Sequence, residues 1–155
     1  MEHTALRRKT GLKRGTKRLA KVRKDTLGKL KLKLWGLCRA IIIGRYGSDC
    51  YTCPARNLTG SNRHVGHFIS SSVCSAELRF ALDNLRPQCY ACNIHRSGNW
   101  PAYEAHLKRD GIDVEELKRR NEQTKGMKTD SLWYMAKIAE YEALATPVEA
   151  IQYAA

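Results

Sequence analysis

Apolar residues recur at helical spacing through Leu30, Leu34, Leu37, Cys38, Ile41 and Ile42, which predicts a helix over 29–46 stopping at Gly47. Its other face carries Lys and Arg. Residues 1–27 lack a hydrophobic period and are interrupted by Gly11 and Gly15, so disorder is expected there in the absence of a partner. Beyond Gly47 the chain breaks into short, turn-rich pieces. "RHVGHFIS" alternates and carries β-branched and aromatic residues, which predicts a strand over 64–69. "ELRF" at 77–80 is expected to pair near it, and "NLRPQC" leads on toward Cys89. Helical signals return further on. Asn99 is placed to cap a helix with Pro101 in its first turn and Gly111 beyond its end. "DVEE" from Asp113 reads as a capping box, and "DSLWYMAKIAEYEALA" reads as a last helix that Pro147 ends. No repeat of solenoid length is present. The expected class is α+β in three parts: a basic flexible arm (1–28), a core domain with a leading helix (29–112) and C-terminal helices (113–155).

Charge changes this picture. The chain of 155 residues has room for one domain with a modest core. Its net charge is +13, and residues 1–34 hold 13 of the 28 Lys and Arg against two acids, Glu2 and Asp25. The remainder is nearly balanced. An arm bearing Arg7, Arg8, Lys9, Lys13, Arg14, Lys17 and Arg18 suits a polyanion, because each cation set on a phosphate releases counterions. The plainer explanations are a solvated tail or a localisation signal. No apolar run approaches the roughly 20 residues that span a membrane, and "AIII" is too short even for a secretory signal. A cytoplasmic protein with reduced thiols is the expectation.

Under reducing conditions the cysteine spacing points to a metal. Cys50 and Cys53 form one Cys-x2-Cys pair, and Cys89 and Cys92 form a second. Four thiolates suit Zn(II), which takes a closed tetrahedral shell in structural sites. The alternative is two buried thiol pairs. A structural zinc contributes on the order of 10 kcal/mol to folding, which a domain with short, scattered apolar runs needs. A closed shell has no open position, so any reaction must come from residues around it. Cys38 lies on the apolar face of its helix and reads as core, whereas Cys74, in a Ser-rich turn, reads as a bystander.

The motifs "GHF", "LRF…DN" and "QC..CN.H.SGN", in that order over about residues 35–112, resemble the phage NinG/Rap recombination proteins. The layout is also similar to the junction-resolving endonuclease VII of phage T4. The resemblance implies a zinc-stabilised treble-clef, ββα-metal (HNH-like) nuclease core with flanking helices. It implies a phage- or prophage-encoded enzyme of the host cytoplasm. It also implies roles for residues. His67 would be the general base. Asn93 would bind the catalytic cation, Mg(II) or Mn(II). Asn84 would be the middle Asn of the HNH pattern, which more often fixes the loop holding the histidine than touches substrate. His95 would bind metal or the scissile phosphate. Arg79, Arg86 and Arg96 would clamp the DNA backbone, their plain alternative being surface charge.

One departure from the pattern stands out. Where an Asp is expected, the chain reads "NRHVGH", with His64 three residues before His67. On a regular strand an odd separation puts the two on opposite faces. Either His64 replaces the carboxylate and favours Mn(II), Ni(II) or Zn(II), or the site is weakened and Glu77 and Asp83 compensate. The implied function is cleavage of branched DNA, such as Holliday junctions and D-loops. A junction needs two incisions, which favours a homodimer, with the last helix as a surface for it. A non-catalytic zinc-stabilised nucleic-acid-binding module and an HNH nuclease without structural preference are the rival classes.

Overall fold

The computed structural model describes the backbone of residues 12–145 and the side chains of residues 26–145. Arg7, Arg8 and Lys9 lie outside the described residues. Helix α1 runs Leu12–Tyr46, far earlier than Lys29, so the boundary expected at residue 28 is not an element boundary. Lys, Arg, Leu and Ala are good helix formers, and a helix already anchored at one end extends through them without an apolar stripe. The anchored half buries Leu34, Cys38, Ile41 and Ile42 against Tyr134, Ile138 and Tyr141 of α5 (Ser131–Ala145). Phe80 is fixed in the same core. Its carbonyl accepts the Tyr141 hydroxyl at 2.7 Å and the Cys38 thiol at 3.5 Å. Burial pushes Cys38 up to about 12, so it stays a thiol.

A two-stranded ribbon packs against α1. Strand β1 (Arg63–His67) pairs antiparallel with β2 (Leu85–Cys89), from Arg63 opposite Cys89 to His67 opposite Leu85. Pro87 is tolerated in β2 because its missing N–H lies on the outer edge. There its carbonyl accepts from Tyr51 N at 2.9 Å. The segment expected to pair with β1 is instead helix α2 (Ala76–Phe80). Ser75 caps it by accepting from Leu78 N at 3.1 Å. Four residues are too few for periodicity to separate strand from helix, and the cap decided it.

The remaining helices form a second layer. Helix α3 is Trp100–Arg109 and α4 is Val114–Thr124. Tyr103, Leu107, Val114 and Leu117 close a small core on Phe68. Asp113 caps α4 as expected, accepting from Glu116 N at 3.0 Å. The result is an α+β fold with a two-stranded sheet and several small cores. None of its helices is long and apolar enough to cross a membrane, among the described residues.

Candidate metal centre and catalytic groove

The four cysteines meet at the Cys89 end of the ribbon. Each offers one Sγ, and all four Sγ atoms lie within 4.8 Å of one another. Cys53 and Cys89 Sγ are 3.7 Å apart. A tetrahedron with Zn–S bonds of about 2.3 Å has an edge of about 3.8 Å, so the cluster is sized for zinc. Its surroundings fit too. Cys50 Sγ accepts from Cys89 N at 3.3 Å, Cys89 Sγ accepts from Cys92 N at 3.4 Å, and Asn99 Nδ2 donates to Cys92 Sγ at 3.8 Å. Such donors stabilise thiolates against burial. Burial raises the Cys53 and Cys89 thiols, whereas at Cys50 the N–H of Cys89 and the Thr52 contacts outweigh burial and bring that thiol to about 7.

Asn99 takes the N-cap position expected of it, but its side chain makes no capping hydrogen bond. It precedes α3 in a left-handed conformation with φ of 49°, and its side chain reaches away from the helix to Thr52 O at 2.7 Å. It therefore ties the α3 start to the first cysteine knuckle. Gln88, fully buried, does the same from β2, donating to Thr52 Oγ1 at 2.9 Å and Gly98 O at 2.6 Å.

His67 stands at the other end of β1. Its ring stacks on Trp35 of α1, with centroids 5.3 Å apart and planes 11° apart. Nε2 lies 3.0 Å from the Arg79 carbonyl. A carbonyl only accepts, so Nε2 carries the proton and the lone pair is on Nδ1. Burial lowers the His67 pKa below the ordinary value, the Arg79 carbonyl opposes this, and the Arg79 charge adds to it. The imidazole is neutral at pH 7 and suited to take up a proton. Asn84 holds the loop that follows. It is fully buried, accepts from Ile69 N at 2.8 Å, and donates to Ile69 O at 3.2 Å and Leu78 O at 3.0 Å. With its amide so occupied it is a positioning residue, not a group for substrate.

His64 and His67 take opposite faces, because β1 is regular and unbulged. His64 Nε2 donates to Ser61 O at 2.9 Å, and its Nδ1 lies 3.0 Å from the Asn93 amide. Gly66 lets this side close up. A Cβ there would come within 1.8 Å of Gln88 Oε1 and 2.9 Å of Asn93 Oδ1. The carboxylates expected to compensate for the missing Asp are elsewhere: Arg120 pairs with Asp83 at 2.8 Å and Glu77 at 3.4 Å. Around the histidines the ligand set is therefore one imidazole nitrogen and one amide. It fits an imidazole-accepting divalent ion better than Mg(II), which prefers carboxylates.

A groove of about 1130 Å³ runs beside β1, and both histidines and Asn93 line it. Among the described residues its charged lining is Arg39, Arg63 and Lys118, with no carboxylate. The structure does not bring His95 into it. His95 is exposed and packs edge-on against Tyr90 at 5.1 Å. Nor is Arg86 a DNA clamp. It is 1% exposed, its guanidinium sits 4.3 Å from the Tyr46 ring and 5.3 Å from the Tyr51 ring, and Nη1 donates to Leu85 O at 2.7 Å. Arg79 is exposed, but its guanidinium donates to Ser71 O and shapes the serine loop. Arg96 is exposed at the turn before α3. Lys13, Arg14, Lys17 and Arg18 lie on the first turns of α1, ahead of the described side chains.

The sequence reading missed Trp35, Gln88 and Arg63. Trp35 lies next to the apolar stripe rather than on it. Gln88 stands inside the "PQC" motif and was readable only as part of a signature. Arg63, directly ahead of His64, carried the one available signal, its place in the motif itself.

The chain matches the family described as Bacteriophage Lambda NinG protein over residues 3–149. No curated protein and no solved structure matches it. A match over nearly the whole length shows the family: the chain belongs to the NinG family of bacteriophage proteins.

Proposed function

We propose, with membership of the NinG family as premise, that the protein is a structure-selective DNA endonuclease hydrolysing phosphodiesters in branched recombination intermediates. The observation that carries this reading is His67: a neutral imidazole under Trp35, its Nε2–H held by a backbone carbonyl, lining a groove of cations. Nδ1 takes the proton from the attacking water. Arg39 and Arg63 hold the strand's phosphates, and Lys118, paired with Glu115 at 2.8 Å in the free protein, is placed to join them. His64 and Asn93 are the residues that would hold a divalent cation, which would supply charge to the phosphorane oxygens. The four-cysteine centre holds the ribbon and takes no part in the chemistry.

A second reading, a zinc-stabilised nucleic-acid-binding module without catalysis, draws on the carboxylate-free lining of the groove. One assay separates them. Four-way junction, D-loop, linear duplex and single-stranded DNA are incubated with no added cation, Mg(II) or Mn(II). Cleavage of branched DNA, stronger with Mn(II), is expected. Binding without cleavage under every condition supports the module, and equal cleavage of linear duplex removes the structural selectivity.

A further inference from the structure

The groove holds an aromatic feature that hydrolysis does not use. Trp100 is the first residue of α3, and its indole stacks on Phe68 with centroids 5.7 Å apart and planes 15° apart. Phe68 is a rigid backing. It is 3% exposed and Tyr103 meets it edge-on at 5.6 Å. Trp100 is nevertheless 46% exposed. Tyr90, Ile94 and Val73 are also large, apolar, exposed and part of the same lining. Four of the ten exposed large apolar side chains among the described residues thus share the groove with Arg39 and Arg63, and a plane of exposed indole beside cations is what a strand of unpaired bases meets best.

We infer that Trp100 is a base-stacking ledge, and that the groove takes a DNA strand with one base turned out of its stack. This rests on the reading that the groove binds DNA, and it names how branched DNA is told from duplex. In continuous duplex both faces of every base are covered by neighbours. At a branch or frayed end a base leaves the stack at little cost, and the indole replaces the lost neighbour. The placement suits selection at the reaction itself, because Trp100 and His67 line the same groove. A base held on Trp100 would keep its strand in the groove that His67 lines. Lys118, with its ammonium over the indole at 5.7 Å from the centroid, supplies a charge at the ledge and would move aside for a base stacked on that face.

The test uses the full chain without added divalent cation, so that binding is read apart from cleavage. Trp100→Ala and Trp100→Phe are compared with the unaltered protein by anisotropy on two DNAs, a continuous duplex and a duplex carrying one unpaired 2-aminopurine. The unaltered protein should bind the second more tightly and quench its fluorescence. Trp100→Ala should lose on the order of 10-fold affinity for it, along with the quenching, while duplex affinity stays the same. Trp100→Phe should retain most of both. If Trp100→Ala weakens both DNAs equally, or neither, while the unaltered protein binds, the ledge is wrong and DNA binding by the groove stands. If the unaltered protein binds no DNA, the ledge and the proposed function fall together.

Discussion

Arg63 faces Cys89 at one end of the β1–β2 ribbon, and His67 faces Leu85 at the other. Around Cys89 the polar side chains are closed onto one another. Thr52 accepts from Gln88 and Asn99, and backbone N–H groups point at the sulfurs. Around His67 the closure stops one atom short. Asn84 is fully bonded and Nε2 is tied to Arg79, but Nδ1 makes no hydrogen bond among the described residues. The first end has spent its hydrogen-bonding capacity on holding a shape, apart from the buried Gln88 Oε1, which has no partner. The second has spent all but one lone pair, and the residue that carries it, His67, lines a groove. His64 on the same strand marks the contrast: both of its nitrogens are engaged, and its Nδ1 would have to release the Asn93 amide to hold a cation.

The largest expected effect tests the closed end. Cys89→Ser removes one of four thiolates, and a structural zinc is worth on the order of 10 kcal/mol to folding. The variant should lack stoichiometric zinc by metal analysis and show no cooperative thermal transition. A variant that melts like the unaltered protein would mean that the cysteine end does not hold the ribbon.

His67→Ala tests the open end and should do the reverse. Folding and zinc content should persist, while cleavage falls by about 10²- to 10⁴-fold, the usual cost of losing a general base. Near-normal cleavage would make the free Nδ1 incidental, and loss of the fold would make His67 a second structural end.

The two ends were not equally legible in the sequence. The cysteine spacing pointed to one metal, and the structure gathers the four sulfurs. The odd separation of His64 and His67 implied opposite faces, and a regular strand delivers them. Arg86 was misread because its neighbours in sequence are ordinary. Only the fold brings Tyr46 and Tyr51 over it, and no local pattern announces a buried guanidinium. Glu77 and Asp83 were misread for the same reason, since their partner Arg120 is 37 residues beyond Asp83. The start of α1 was missed because a basic stretch without an apolar stripe shows no period, even where its residues favour helix. Contacts set by spacing were readable, and contacts set by tertiary closure were not.

Gly66 lies between the two ends and tests whether they are independent. A Cβ at this position meets Gln88 Oε1 at 1.8 Å and Cδ at 2.7 Å, and Gln88 is pinned by Thr52 and Gly98. Gly66→Ala should therefore cost about 1–3 kcal/mol, as overpacking does, and lower the Tm. Because Gln88 reaches the cysteine knuckle and Asn93 shares the clash, zinc retention under chelator and cleavage should fall together. If the Tm drops with cleavage unchanged, the ends are separate.

The smallest effect concerns Trp35 and is read in pH. Burial is the main cause of the lowered His67 pKa, and Trp35 covers the ring. A base must be deprotonated to act, so the acid limb of the cleavage profile should lie below the ordinary histidine value of about 6.5. The stability sign agrees: a histidine with a depressed folded value contributes fully above about 6.5 and loses that contribution as the pH falls toward the folded value. Trp35→Ala lets water reach the imidazole, and the acid limb should move up toward 6.5, while Trp35→Phe keeps a stacked ring and should leave the limb in place. The Arg79 charge also lowers His67, so Arg79→Met is the control that separates the two causes. If the limb moves only with Arg79→Met, a neighbouring charge tunes the open end. If it moves mainly with Trp35→Ala, dehydration under one indole keeps the lone pair ready, and the open end is made by the same burial that closes the other.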